Sequence, residues 1–142
     1  MKYIIKTKIK REEWNDANPE KKPMTERRLA KIAGISNVTI SNLGNIEKAP
    51  KWIERIVNFE AIVPSNFMSF IKIENGEYSI DLKELKNQIG IKYKDNRIPT
   101  NAEILKQAGF AGVVAPTGKW IEITYRICKA LDCNPSDIII LA

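Results

Sequence analysis

The stretch Thr25-Glu-Arg-Arg-Leu-Ala-Lys-Ile-Ala-Gly-Ile-Ser-Asn-Val-Thr-Ile-Ser-Asn-Leu43 decides how the chain is read. Leu29, Ala30, Ala33, Ile35, Val38, Ile40 and Leu43 form an apolar framework at helical spacing, and Gly34 interrupts it. Thr25 is a good N-cap and Gly34 a good C-terminal stop, so a first helix is predicted up to Ala33. Ser36 caps a second helix, through about Gly44. Short helices joined by a tight turn are a common way to present a helix to the DNA major groove. The small polar Ser36, Asn37 and Asn42 fall on the outward side of the second helix.

Working outward, Asn45 to Pro50 is a connecting loop. Lys51 to Val63 is helical by the spacing of Trp52, Ile53, Ile56, Val57 and Phe59 or Ile62, and Pro64-Ser65 restarts a short helix through Phe70. On the other side, Asn15 to Pro23 is polar, contains Pro19 and Pro23, and reads as a loop. Residues 1–14 fit two patterns: Ile5, Ile9 and Trp14 line one face of a helix, while Tyr3, Ile5, Thr7 and Ile9 alternate as in a strand.

Alternating runs on either side of Asn75-Gly76 predict a β-hairpin over 71–80. Asp81 then caps a helix from Leu82 to Gln88, and residues 90–99 form a basic loop. Thr100 caps Ala102 to Ala108, which Gly109 stops; Trp120 to Leu131 is amphipathic. Asn134-Pro-Ser-Asp-Ile-Ile is a new cap and short helix.

A shortened copy of the opening stretch recurs. Leu29, Ala33, Gly34 and Ile35 align with Ile104, Ala108, Gly109 and Phe110, and Trp52-Ile-Glu aligns with Trp120-Ile-Glu. The expected architecture is therefore mainly α, with an N-terminal helix-turn-helix domain at 1–70, a β-hairpin linker at 71–81 and a C-terminal degenerate copy at 82–142.

With 142 residues, 44% of them hydrophobic, the chain can build a core as one domain or as two units of about 60–70 residues. The formal charge of +6 suits an anionic partner. It is uneven: residues 1–70 carry 13 Lys/Arg against 8 Asp/Glu, and residues 71–142 carry 10 against 9. The basic half is the half that holds the clear motif.

Two cysteines, Cys128 and Cys133, and no histidine cannot make a four-ligand zinc site within one chain, and no cofactor is implied. Cys128 lies in an apolar helical pattern, as a small buried side chain does. No disulfide framework is implied, and the apolar run near the N-terminus is too short for a signal peptide or membrane span. A soluble cytoplasmic protein is expected. Enzyme chemistry has no visible candidate: there is no imidazole, and the acids are scattered among bases. Gly112 to Trp120 misses the phosphate-loop spacing and has Trp120 where a hydroxyl should bind magnesium.

The pattern Thr25-x3-Leu29-Ala30-x3-Gly34-Ile35-Ser36-x2-Thr39-Ile40-Ser41-x-Leu43, followed by Asn45 and Pro50, resembles the Cro/phage-repressor (XRE-like) helix-turn-helix family. Ile121-Glu-x4-Ile127-Cys-Lys-Ala130-Leu131-x-Cys-Asn-Pro-Ser-Asp137-Ile is similar to that family's fourth and fifth helices. The resemblance implies two five-helix, lambda-repressor-like units, with the third helix reading bases.

Carried over by position, the resemblance assigns base contacts to Ser36, Asn37, Val38 and Asn42, and places Thr25 and Asn45 near phosphates. Arg27, Arg28, Lys48 and Lys51 flank that face as further phosphate contacts. Two positions depart from the family. Glu26 stands where Gln often contacts phosphate, and Ala111 to Gly118, with Pro116, has almost no polar reading face.

The expected function is sequence-specific binding of double-stranded DNA, as a transcriptional repressor or regulator. A homodimer on a palindromic site is expected, or an intrachain pseudo-dimer, with the C-terminal unit open to packing or a protein partner. The alternative is a protein-interaction module, such as an antitoxin, an inhibitor or an anti-defence protein on the same fold.

Overall fold

Thr25 and Ser36 both sit in extended backbone (ψ 163° and 162°), and each side-chain oxygen accepts a backbone N–H three residues on. That geometry starts a helix by satisfying a donor with no partner inside the helix. The computed structural model describes residues 2–62, 66–85, 87, 103 and 118–142. Its α-helices are α1 (Lys8–Ala17), α2 (Glu26–Ala33), α3 (Asn37–Leu43), α4 (Trp52–Ile62) and α5 (Lys119–Leu131). Its strands are β1 (Tyr3–Ile5), β2 (Ile71–Glu74), β3 (Glu77–Ile80) and β4 (Ile139–Leu141). The chain is mainly helical, and the described residues include two small antiparallel sheets.

Two compact units emerge, one of residues 1–54 with 123–142 and the other of residues 55–122; the division falls inside α4 and α5. These limits do not coincide with boundaries at 70 and 82. The physical reason is the pairing of the two ends of the chain. β1 and β4 are antiparallel neighbours, with Tyr3 opposite Leu141, Ile4 opposite Ile140 and Ile5 opposite Ile139. Lys6 N–H donates to the Ile138 carbonyl (2.7 Å), and Ala142 N–H to the Lys2 carbonyl (2.9 Å), extending the ladder at both ends.

In the first unit both patterns of residues 1–14 are realised in succession, strand at 3–5 and helix from Lys8. The helix continues through Asn15 to Ala17, so the following loop is shorter than its polar composition predicts. Asn15 Oδ1 accepts the Met24 N–H (2.5 Å), which ties that loop to α1 and leaves Met24 buried. α2 packs on α3, with Leu29, Ala30, Ala33, Ile40 and Leu43 all buried.

Gly34 ends α2 in the left-handed region (φ 74°). Gly34 N–H bonds Lys31 O and Ile35 N–H bonds Ala30 O, the paired bonds of a Schellman cap. Later in the chain, Ile127, Cys128, Leu131 and Ile138 are buried. Arg126 Nη1 donates to the Ile32 carbonyl (3.4 Å), tying α5 to α2. After α5 the chain makes a 3-10 turn at Pro135–Asp137 and then enters β4; Ile139 and the residues after it are strand, not helix, because β1 offers them a ladder.

In the second unit, Phe59 and Phe67 meet edge to face (centroids 5.6 Å apart), and Ile56, Phe70, Ile80 and Leu85 are buried. The hairpin is as predicted. Asn75 (φ 51°) and Gly76 (φ 76°) both have positive φ, which suits a type I′ turn and matches the twist of β2 and β3. Asp81 Oδ1 accepts the Glu84 N–H (3.0 Å) and opens the helical turn at 82–85. Pro64-Ser65, the basic loop at 90–99, the Thr100 cap, the helix at 102–108 up to Gly109 and the non-reading segment 111–117 lie outside the described residues. So do Ile104, Ala108, Gly109 and Phe110 of the repeat.

Candidate nucleic-acid interface

α3 is a seven-residue helix with one face committed to the core. Ile40 and Leu43 point inward, and helical spacing then puts Asn37, Val38, Ser41 and Asn42 on the other side. Asn37, Val38 and Ser41 are exposed and Asn42 is half-buried. Val38 is 68% exposed, unusual for a valine in the first turn of a helix.

Ser36 is also exposed, but its hydroxyl is engaged. It accepts the Thr39 N–H (3.1 Å) and lies 2.9 Å from Thr39 Oγ1. Thr25 similarly accepts the Arg28 N–H (3.1 Å). These two hydroxyls hold helix starts; among the described residues Asn37 and Asn42 cap no helix.

Of the cations, Arg27, Lys48 and Lys51 are exposed, on the first turn of α2 and in the segment from α3 to α4. Arg28 differs. It is half-buried, its guanidinium lies over the Trp14 ring (5.5 Å to the centroid), and Nη1 donates to the Lys22 carbonyl. Its charge therefore also serves to hold α2 to α1 and to the loop between them. Asn45 Oδ1 accepts the Glu47 N–H (2.9 Å), bracing the loop after α3.

A cleft of about 390 Å³ opens beside the end of α3, lined by Lys6, Lys8, Arg11, Glu26, Ser41 and Asn45 among others. Gly44 also lines it, and a Cβ there would lie 3.0 Å from the Ile5 carbonyl oxygen, a tight contact that a larger residue could make only if the backbone of β1 gave way slightly. Lys6, Lys8 and Arg11 belong to no helix-turn-helix pattern and were not among the sequence-derived contacts. The signal that could have found them is the dense basic run Lys6-Thr-Lys-Ile-Lys-Arg11.

Arg11 also bears on Glu26, the acid at the start of α2. Arg11 Nε donates to Thr7 Oγ1 (3.0 Å), and its Nη2 sits 3.9 Å from Glu26 Oε2. A cation at that range offsets part of the repulsion Glu26 exerts on a phosphate.

Among the described residues, no group of three or more His, Cys, Asp or Glu is arranged to hold a metal, and no helix is long and apolar enough to cross a membrane. No known protein family, curated protein or solved structure matches the chain.

Proposed function

We propose that the unit of residues 1–54 and 123–142 binds double-stranded DNA in a sequence-specific manner, as a transcriptional repressor or regulator. α3 enters the major groove, a channel about 12 Å wide that accepts one helix. Asn37, Val38 and Asn42 then address base edges, the amides by hydrogen bonding and Val38 by contact with a thymine methyl. Arg27, Lys48, Lys51 and the cleft lysines Lys6 and Lys8 neutralise phosphates. The observation that carries this reading is a short, capped helix whose outward side chains are small, uncharged and, apart from half-buried Asn42, exposed, with cations around it.

The resemblance to the Cro/phage-repressor family supports the same reading. Its opening part, Thr25 to Pro50, and its closing part, Ile121 to Ile138, from Ile123 onward, fall in one compact unit. We read them as the two halves of a single helix-turn-helix domain, separated by residues 55–122. One seven-residue reading helix specifies few base pairs, so a two-fold dimer on a palindromic site follows.

Exposed Val38 and Ile46 favour one second reading, a protein-docking module on the same scaffold. Selection from random duplexes at low salt separates the two. Enrichment of a site, lost on combining Asn37→Ala with Asn42→Ala, supports DNA reading. No enriched duplex, or equal binding by the double variant, leaves the docking module.

A further inference from the structure

The two cysteines are brought together by the way α5 ends. Cys133 N–H donates to the Cys128 carbonyl (3.0 Å), Asp132 N–H to the Lys129 carbonyl (3.4 Å), and Asp132 is left-handed (φ 52°). This is the same Schellman closure that Gly34 makes at the end of α2. In that closure the side chain after the left-handed residue folds back onto the side chain at the start of the last turn. At α2 those side chains are Ile35 and Ala30; at α5 they are Cys133 and Cys128. Hydrogen bonding with Cys128 is the largest influence on the Cys133 thiol and holds it below its ordinary pKa. The backbone bond keeps the two residues adjacent, as a disulfide, with about 4.4–6.8 Å between Cα atoms, requires.

The members of the pair differ in access. Cys128 is buried and Cys133 is half-exposed. Cys133 is therefore the sulfur a small oxidant reaches, and Cys128 the one placed to resolve the product. Lys10 on α1 is the cation facing Cys133, and Asp132 and Asp137 are the anions.

We propose that Cys128 and Cys133 are a peroxide-oxidisable pair, which forms an intrachain disulfide across the end of α5. The Cys133 thiolate attacks one oxygen of hydrogen peroxide; the O–O bond breaks, hydroxide leaves and takes up a proton as water, and a sulfenic acid remains on Cys133. The Cys128 sulfur then attacks the Cys133 sulfur. The S–O bond breaks, and the hydroxyl leaves with the Cys128 proton as a second water. Two thiols are oxidised by two electrons in all, and the peroxide is reduced by the same two. The inference is independent of DNA binding.

The test treats the full chain with one equivalent of hydrogen peroxide, quenches it with a thiol-alkylating reagent in denaturant, and weighs it. The expected product has lost two hydrogens, takes up no alkyl group, and is monomeric on a non-reducing gel. Trypsin cuts after Arg126 and Lys129, so the peptides 127–129 and 130–142 remain joined until a reductant is added. In urea-unfolded chain the bond should form about tenfold more slowly, because the closure that pairs the sulfurs is gone. The Cys128→Ser variant should stop at a Cys133 sulfenic acid that dimedone captures. Sulfinic acid on Cys133 with Cys128 still alkylatable, a disulfide between chains, or equal rates in folded and unfolded chain would each overturn the proposal.

Discussion

Ile5 and Ile139 are partners across an antiparallel ladder formed by the two ends of the chain. The strand that leads into α1 is thus completed by the strand that follows α5. The helix-turn-helix at 25–43 consequently shares its unit with residues far along the chain, a dependence that tandem, self-sufficient copies would lack.

Removing residues 139–142 is expected to lower the thermal midpoint of the first unit and weaken DNA binding, although every proposed contact residue remains. Ile138→Ala, at a side chain 1% exposed, should destabilise by about 2–5 kcal/mol. Circular dichroism melts and gel shifts on both variants check this. Unchanged melts would mean that the end-to-end pairing contributes nothing.

Ser36 and Asn37 are neighbours with separable roles. Ser36→Ala removes a cap and should cost about 0.5–2 kcal/mol of stability, with DNA affinity falling as a consequence. Asn37→Ala should leave the melt within about 0.5 kcal/mol of the parent and still weaken a selected site by about 1–3 kcal/mol. Paired denaturation and binding titrations distinguish the two effects.

The cations predict a different signature. Lys48→Gln, Lys51→Gln, Lys6→Gln and Lys8→Gln should weaken specific and random duplexes alike. Each should flatten the slope of log K against log salt by about one. Titrations at several salt concentrations read this directly. Arg28→Gln should behave otherwise, lowering stability through loss of the Trp14 contact and the bond to Lys22.

The two Schellman closures respond to substitution with opposite signs. Gly34→Ala places a side chain at φ 74° and should destabilise by about 1–2 kcal/mol, even though nothing lies within 4 Å of the new Cβ. Asp132→Gly relieves the same conformation at α5 and should stabilise by a few tenths to about 1 kcal/mol. Urea titrations of the two variants give both signs.

The Cys133 thiol is held below its ordinary pKa, chiefly by hydrogen bonding with Cys128; burial and Asp137 oppose this, Lys10 helps and Asp132 opposes. A depressed thiol pKa favours the thiolate, so its contribution to stability is present above the unfolded-state pKa and is lost as pH falls through the folded-state value. Alkylation of Cys133 should accordingly reach its half-maximal rate at a lower pH in the parent than in Cys128→Ala. Coincident pH profiles would remove Cys128 as the cause.

Much of the local architecture was legible in the residues alone. The Thr25 and Ser36 caps, the Gly34 stop, the Asn75-Gly76 turn and the Asp81 cap depend on chemistry within a few positions, which a sequence displays directly. The pairing of Tyr3–Ile5 with Ile139–Leu141 was not legible, because short apolar runs carry no mark of their partner. The same holds for the cleft: Lys6 and Lys8 look like any solvated basic run until β1 brings them beside the end of α3. Arg28 was legible as a cation but not as a residue stacked on Trp14, since that contact crosses the loop between α1 and α2.

The pairing of β1 with β4 also has a consequence in time. A ribosome releases the helix-turn-helix early, yet residues 139–141 emerge only after the whole of 55–122 has been made. At about 5–20 residues per second that interval lasts several seconds, during which Ile4 and Ile5 have no strand partner and Leu29, Ala33 and Leu43 lack α5 to complete their unit. The unit that holds α2 and α3 is thus completed only after the segment 55–122 has been made. A nascent chain stalled before residue 123 should hold an apolar, chaperone-binding segment where the finished protein holds a closed fold.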